Sequence, residues 1–368
     1  MGTVGGLDRS HGGDSAGGPS PVPARGPGLA GRLRGWGGVS AMAAACALTA
    51  AVTLLPLSHS VDTRAERVTS GQRIGSVTQA DDDACETPEA SLRPSPADED
   101  GDTIRSIRER PNRKLVVGVD QNSYRWGYRD PVTGDLEGFD IDLARAIAED
   151  ILGSRDDIIF RAIPTNQREA ALNNGTVDLV VRTMTITCDR RQRVDFSTAY
   201  FQVGQQVLAP KGSSITGFDA SLAGKRVCTA EDSTAYQALE KDAHGAIFKD
   251  EHDGTPADED RLTVPNQLDC LVRLQLGEVD AVVTDNALAA GQAAQDPAVE
   301  LVGEPLPPEY YGVAVKLGND DLVRRVNKVL EGYRAGGADS RWMRSYETWL
   351  KAGLPGITAP PPARYRNE

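Results

Sequence analysis

The segment RTMTITCDRRQRVDFSTAY, from Arg182 to Tyr200, places Thr183, Thr185 and Thr187 at alternate positions and then turns through Cys188 and Asp189 to Arg190. It follows the apolar run VDLVV directly, and a core strand needs no hydroxyls. Two readings fit such a stretch: a strand end fading into a solvated turn, or hydrogen-bonding groups presented to a ligand. A second stretch bears on the choice. ALNNGTVDLVVRT at 171–183 is echoed by RLQLGEVDAVVTD at 273–285: a helix end, a glycine, Val-Asp, an apolar strand and a polar strand end. Two copies are too few for a solenoid and fit two similar lobes. In open α/β sheets ligands sit beyond the carboxyl ends of strands, so Thr183, Thr185, Thr284 and Asp285 would face one another across a cleft. The chemistry on offer is hydrogen bonding and charge pairing. The sequence shows no nucleophile–base pair and no metal-ligand set.

Elements able to hold those residues are legible along the chain. DTIRSIRERPNRKLVVGVD reads as a short helix N-capped by Asp102 or Thr103, a turn at Pro111-Asn112, and an apolar strand. That strand, KLVVGVD, is of the kind a parallel sheet buries on both faces. GFDIDLARAIAEDILG sets Phe139, Leu143, Ile147 and Ile151 at helical spacing, with Gly153 as its stop. Further strands are predicted in DIIFRAIP, VDLVVRTMTI, GQQVLAPKG, SLAGKRVCTA, RLTVPN, VDAVVTD and YGVAVKL. Helices are predicted in NQREAALNNG, STAYQALEKD, QLDCLVRLQLG, NALAAGQAAQ, DDLVRRVNKVLEGYRAGG and SRWMRSYETWL. The alternation makes the chain α/β with mainly parallel sheets.

The N-terminal part reads differently. Residues 1–38 are Gly/Pro-rich with scattered arginines and cannot bury a core. Residues 39–58, VSAMAAACALTAAVTLLPLS, carry no charge and follow Arg25, Arg32 and Arg34. They read as a signal peptide or a membrane anchor that sends the C-terminal bulk outward. Ser58-His59-Ser60 would serve as a cleavage site, and both a cleaved signal and an uncleaved helix remain open. Residues 59–103 are polar and linker-like. Of the five cysteines, Cys46 lies in the apolar segment, and Cys85, Cys188, Cys228 and Cys270 are left to form two disulfides in an exported chain. There is no CxxC, and the four histidines form no cluster. A formal charge of −13 argues against a nucleic-acid partner.

GFDIDLARAIAEDI, Gly138 to Ile151, resembles the signature of the family 3 extracellular solute-binding proteins, the amino-acid receptors of ABC importers. Further anchors of the resemblance are VDLVVRTMTITCDRRQRVDFSTAYF, LAGKRVCTAEDSTAY and GEVDAVVTDNALAAG. CETPEASLRP, TITCDRR and the Pro-rich APPPARYR tail are similar to the actinobacterial glutamate/glutamine-binding, GlnH-like subgroup. The resemblance implies a two-lobed, type II periplasmic-binding-protein fold with two hinge crossings and a ligand cleft between the lobes. Lobe 1 would comprise 104–209 and 308–368, and lobe 2 residues 210–307, with crossings near 208–212 and 303–312. It also implies a monomer that binds a free amino acid, glutamate, aspartate or their amides, without a cofactor. The partner would be an ABC permease or a membrane sensor that signals to a cytosolic serine/threonine kinase. The place would be the outer face of the cytoplasmic membrane, anchored, or the medium.

Site roles follow residue by residue. Arg190 stands where the family binds the ligand's α-carboxylate, and its planar fork suits two oxygens as Lys cannot. Thr185 would serve the same ligand end, and Thr183 would offer backbone contact. Asp285 matches the acceptor for the α-ammonium and doubles as a helix N-cap; Thr284 beside it varies with specificity. Ser233 and Thr234 would present a helix N-terminus to the carboxylate, with Asp232 where the family often has glycine. Asp120 matches an ammonium-facing acid, and Tyr124 and Trp126 aromatic walls; Trp126 reads equally as lobe core. Arg168 and Arg182 would meet a side-chain carboxylate. Arg182 lies among strand residues and therefore needs a partner. The resemblance further implies a Cys228–Cys270 bridge, and with it Cys85–Cys188. The alternative reading is a cyclohexadienyl dehydratase-like enzyme on the same fold, which would need a general acid placed for a ring substrate.

Overall fold

The computed structural model describes residues 85–96, 100–249 and 262–367. The expectations for 1–38 and 39–58 lie outside them. Among the described residues no helix is long and apolar enough to cross a membrane.

The chain enters through α1 (Asp102–Glu109) and β1 (Leu115–Val119), and then makes a small antiparallel ribbon of β2 (Asn122–Ser123), β3 (Gly127–Arg129) and β4 (Leu136–Glu137). α2 (Phe139–Leu152) follows and ends at Gly153 in the left-handed region, φ 90°. β5 (Ile158–Ala162), α3 (Arg168–Asn173), β6 (Leu179–Val180) and β7 (Val194–Phe196) complete the run. The crossing strand β8 (Phe201–Val203) leads to β9 (Gln205–Pro210), β10 (Val227–Ala230), α4 (Thr234–Lys241), β11 (Thr263–Val264) and α5 (Gln267–Gln275). Next come β12 (Ala281–Asp285), α6 (Asn286–Gln295) and β13 (Val299–Val302). The return strand β14 (Glu309–Tyr311), β15 (Ala314–Lys316), α7 (Asp320–Arg334) and α8 (Arg341–Trp349) close the chain.

Two five-stranded sheets result, ordered β5-β1-β6-β15-β7 and β11-β10-β12-β9-β13. In each, three parallel strands are extended by an antiparallel one, β15 beside β6 and β9 beside β12. The sequence echo maps onto equivalent places: β6 and β12 are both central strands, each entered through a left-handed glycine, Gly175 (φ 72°) and Gly277 (φ 71°). This is the two-lobed type II architecture. Between the lobes β8 and β14 pair antiparallel, Phe201 opposite Tyr311 and Val203 opposite Glu309.

Three features differ from the sequence reading. β9 belongs to the second sheet, where Val207, Leu208 and Ala209 are buried, so the first crossing falls at β8 and Gly204 rather than near 208–212. The strand expected in VDLVVRTMTI is only Leu179–Val180, because Thr183 turns at φ 41° and the chain leaves the ladder. Residues 85–96, expected as linker, are fixed on the first lobe. Ser91 bridges to Tyr365 and bonds Phe196 O, while the buried Asn327 amide donates to Ser91 Oγ and Leu92 O. Disulfides join Cys85 to Cys188 and Cys228 to Cys270, the two expected pairs. The second ties β10 to α5 inside a cluster that includes Leu208, Leu271 and Val282.

Candidate functional site

Beyond β6 the chain forms a tight loop that ends in a single helical turn, Arg190–Gln192. Its position directs Arg190 inward, and the side chain is buried. Nη1 donates to Thr185 O at 2.9 Å, within the first lobe. Nη2 donates to Asp232 O at 2.7 Å, in the second. Asp232 takes φ 57°, a left-handed conformation that glycine adopts freely and that Asp tolerates better than most residues. Its carbonyl also accepts from Arg168 Nη2 at 3.3 Å. Arg168 Nε donates to Thr165 O at 2.8 Å. Both guanidiniums are buried, and among the described residues neither has a carboxylate at ion-pair distance. Burial lowers the pKa of both, and repulsion from Arg190 and Arg182 adds to the effect on Arg168. Buried cations in this state attract anions strongly.

Opposite them lies an acidic wall. Asp285 ends β12, and its carboxylate accepts from the Gln205 amide and the Tyr311 hydroxyl. Burial, then the nearby Glu309, raise its pKa to about 7. Glu309 Oε2 accepts from Thr185 Oγ1 at 3.2 Å, Thr234 Oγ1 at 2.7 Å and Gln205 Nε2 at 3.1 Å. Those donors come from both lobes, and Glu309 itself lies on the return strand β14. Among the described residues no group of three His, Cys, Asp or Glu is arranged to hold a metal ion.

Arg182 is fully buried and already paired, Nη2 to Asp120 Oδ2 at 2.9 Å. It also reaches Thr165 Oγ1 at 3.1 Å and, in the second lobe, Asn266 Oδ1 at 3.3 Å. The partner expected for Arg182 is therefore Asp120, whose other contacts are the N–H groups of Gln121 and Asn122 and the Ser123 hydroxyl.

The remaining candidates stand apart from this polar cluster. Trp126 is 1% exposed, sits edge-on to Phe139, Phe201 and Tyr311, and donates Nε1–H to Ala287 O of the second lobe at 3.2 Å. Tyr124 stacks edge-on to Tyr128 and places its backbone against Gly291. Ser233 caps α4 by accepting from Tyr236 N, and its hydroxyl donates to Ala230 O. Thr183 uses its N–H on Asp140 Oδ2 at 3.0 Å and on Tyr200 Oη at 3.2 Å. Thr284 is buried opposite Gln206 and shares a strand face with Val282. Glu309, Gln205, Tyr311 and Asp140 were not singled out on sequence. The acid in GFDID was the available signal for Asp140; Glu309 and Tyr311 sit on the short crossing strand β14, which has no pattern of its own, and Gln205 only opens the apolar strand β9.

Comparison with known proteins agrees with this architecture. The family model for bacterial extracellular solute-binding proteins, family 3, matches residues 115–352. The ABC transporter glutamine-binding protein GlnH of Bacillus subtilis is 35% identical over 250 residues, 68% of this chain and 85% of that protein. The glutamine-binding protein of Geobacillus stearothermophilus is 36% identical over 211 residues, 57% of this chain and 75% of that protein. A solved ancestral arginine-binding protein bound to glutamine is 37% identical with a TM-score of 0.56, covering 64% of this chain and 97% of that one. The chain belongs to the family 3 bacterial extracellular solute-binding proteins.

Proposed function

We propose that the chain is a non-catalytic receptor that closes its two lobes on one free amino acid outside the cytoplasm. In this reading the α-carboxylate meets Arg190 and the N-terminus of α4, and the α-ammonium meets Asp285. The side chain then points to Arg168. The observation that supports it best is the opposition of two buried guanidiniums lacking carboxylates to the Asp285–Glu309 wall. A zwitterion answers both sides at once, and a second carboxylate on the ligand would answer Arg168. That favours glutamate or aspartate, with their amides next. Relatives named for glutamine and for glutamate binding support the same class. Arg182 and Asp120 neutralise one another, so we assign them to the lobe floor. The bound receptor would present its closed lobes to an ABC permease or a membrane sensor, acting as a monomer at the outer face of the cytoplasmic membrane or in the medium. Dehydratase chemistry is disfavoured, since among the described residues the two acids of the wall opposite the arginines, Asp285 and Glu309, fit a cation.

Calorimetric titration of the disulfide-intact protein with the twenty amino acids tests this. Arg190→Ala should lose at least about a hundredfold in affinity, because truncating one partner of a buried charge pair typically costs about 3–5 kcal/mol. Arg168→Ala should erode the preference for acids over amides. Binding of glutamate or aspartate by Arg190→Ala within about threefold of wild type, roughly 0.7 kcal/mol, would dismiss the assignment.

A further inference from the structure

Glu309 is half-buried on the return strand, and its Oε2 receives three hydrogen bonds. Two come from threonine hydroxyls, Thr185 of the first lobe and Thr234 of the second. A hydroxyl owns one hydrogen, and a carboxylate can only accept. The two hydroxyls also lie 3.5 Å apart, a longer contact than either makes to Glu309, so both hydrogens are directed to Glu309, and what Thr185 and Thr234 can offer a ligand is a lone pair. One acceptor position of Thr234 is already taken by the Gln205 amide at 2.9 Å. The same amide lies within reach of Asp285 and of Glu309, its two hydrogens being shared among the three acceptors, so Asp285, Glu309 and the two hydroxyls form one continuous acceptor wall. An ammonium group, with three donors and no acceptor, is the complement of such a wall.

We infer that Glu309 is a specificity-determining residue that turns the Thr185 and Thr234 hydroxyls into acceptors and so makes the site demand a ligand with a positively charged nitrogen. It acts through those hydroxyls and is a positioning residue. The inference rests on the amino-acid-receptor reading. Thr185, which the sequence would cast as a donor to the ligand carboxylate, serves the opposite end of the ligand, leaving the carboxylate to Arg190. Without Glu309 the hydroxyls are free to rotate and donate, and the advantage of an ammonium falls.

The test uses Glu309→Gln and Glu309→Ala with whichever of glutamate, aspartate, glutamine and asparagine the wild type binds most tightly. Both variants should weaken that amino acid by about 10- to 100-fold, the range for lost hydrogen bonding to a charged group. The ligand-free melting temperature should stay within about 2 °C of wild type, or rise. Glutarate, which lacks the amino group, should bind no more weakly than it does to wild type. An amino-acid Kd within threefold of wild type or lower would overturn the inference. So would a loss that glutarate shares, or one accompanied by a lower ligand-free melting temperature; each would make Glu309 a latch of the fold. Wild-type protein that binds none of the four amino acids would instead remove the receptor reading itself.

Discussion

Asp140, the acid of GFDID, shows how a family signature reaches the candidate site. It stands in the first turn of α2 with a fully buried carboxylate that accepts from Thr183 N–H at 3.0 Å and Tyr200 Oη–H at 2.9 Å. Thr183 is held at φ 41°, where the chain leaves the sheet for the loop that carries Arg190. Asp140→Ala should leave two buried donors with only each other, and so destabilise the protein by about 2–3 kcal/mol while weakening ligand binding. Urea unfolding and titration of the variant check both effects; stability within about 0.5 kcal/mol of wild type would contradict the anchoring role. Asp285 was singled out in the sequence as the polar end of an apolar strand, and Arg190 by the family resemblance. Glu309 was not legible. Its partners lie 75 to 124 residues away in sequence, and no local period records such contacts.

At the scale of elements, α6 explains a composition that the helical pattern alone leaves open. NALAAGQAAQ carries almost no bulk because the first lobe comes down on it. A Cβ built on Gly291 would lie 2.9 Å from the Tyr124 carbonyl, and Trp126 bonds the Ala287 carbonyl one turn earlier. Gly291→Leu should therefore hold the lobes apart without disturbing either core. Overpacking typically costs about 1–3 kcal/mol, which predicts an affinity loss of roughly 10- to 100-fold. Small-angle scattering should show a larger radius for the variant, and unchanged affinity would remove this contact from closure. The sequence disclosed the helix but not its reason, because a small residue needed for close approach looks the same as one chosen for helix propensity. The same limit applied to β9. GQQVLAP read correctly as a strand, while its sheet was decided by pairing with β12 and β13.

For the whole molecule, buried carboxyl groups couple stability to pH in an unusual direction, Asp140 and Asp285 most strongly and Asp195 in the same sense. Burial raises both Asp140 and Asp285 to about 7, with Glu309 adding to the shift at Asp285. Unfolded, each would titrate near 4. Between about pH 4 and 7 the folded chain therefore holds more protons than the unfolded chain, so unfolding is favoured as pH rises through that window. The paired carboxylates, such as Asp280 beside Arg226, are held below their ordinary range and lose their stabilising effect only at lower pH. Ligand-free protein should gain stability on acidification from pH 7.5 to 5, on the order of 1–3 kcal/mol per carboxyl. Ligand binding should run the other way. An ammonium seated on Asp285 needs the ionised form, so affinity should fall as pH drops below about 7, and the ligand-induced rise in melting temperature should shrink with it. Melting curves with and without glutamate from pH 5 to 8 measure both trends. Asp140→Asn should remove part of the ligand-free gain and leave the pH dependence of affinity in place, while Asp285→Asn should abolish that dependence along with most of the binding. A ligand-free melting temperature that falls steadily from pH 7.5 to 5 would mean that the two buried carboxyls stay ionised in the folded protein, and the acidic wall would then need a permanent counter-cation.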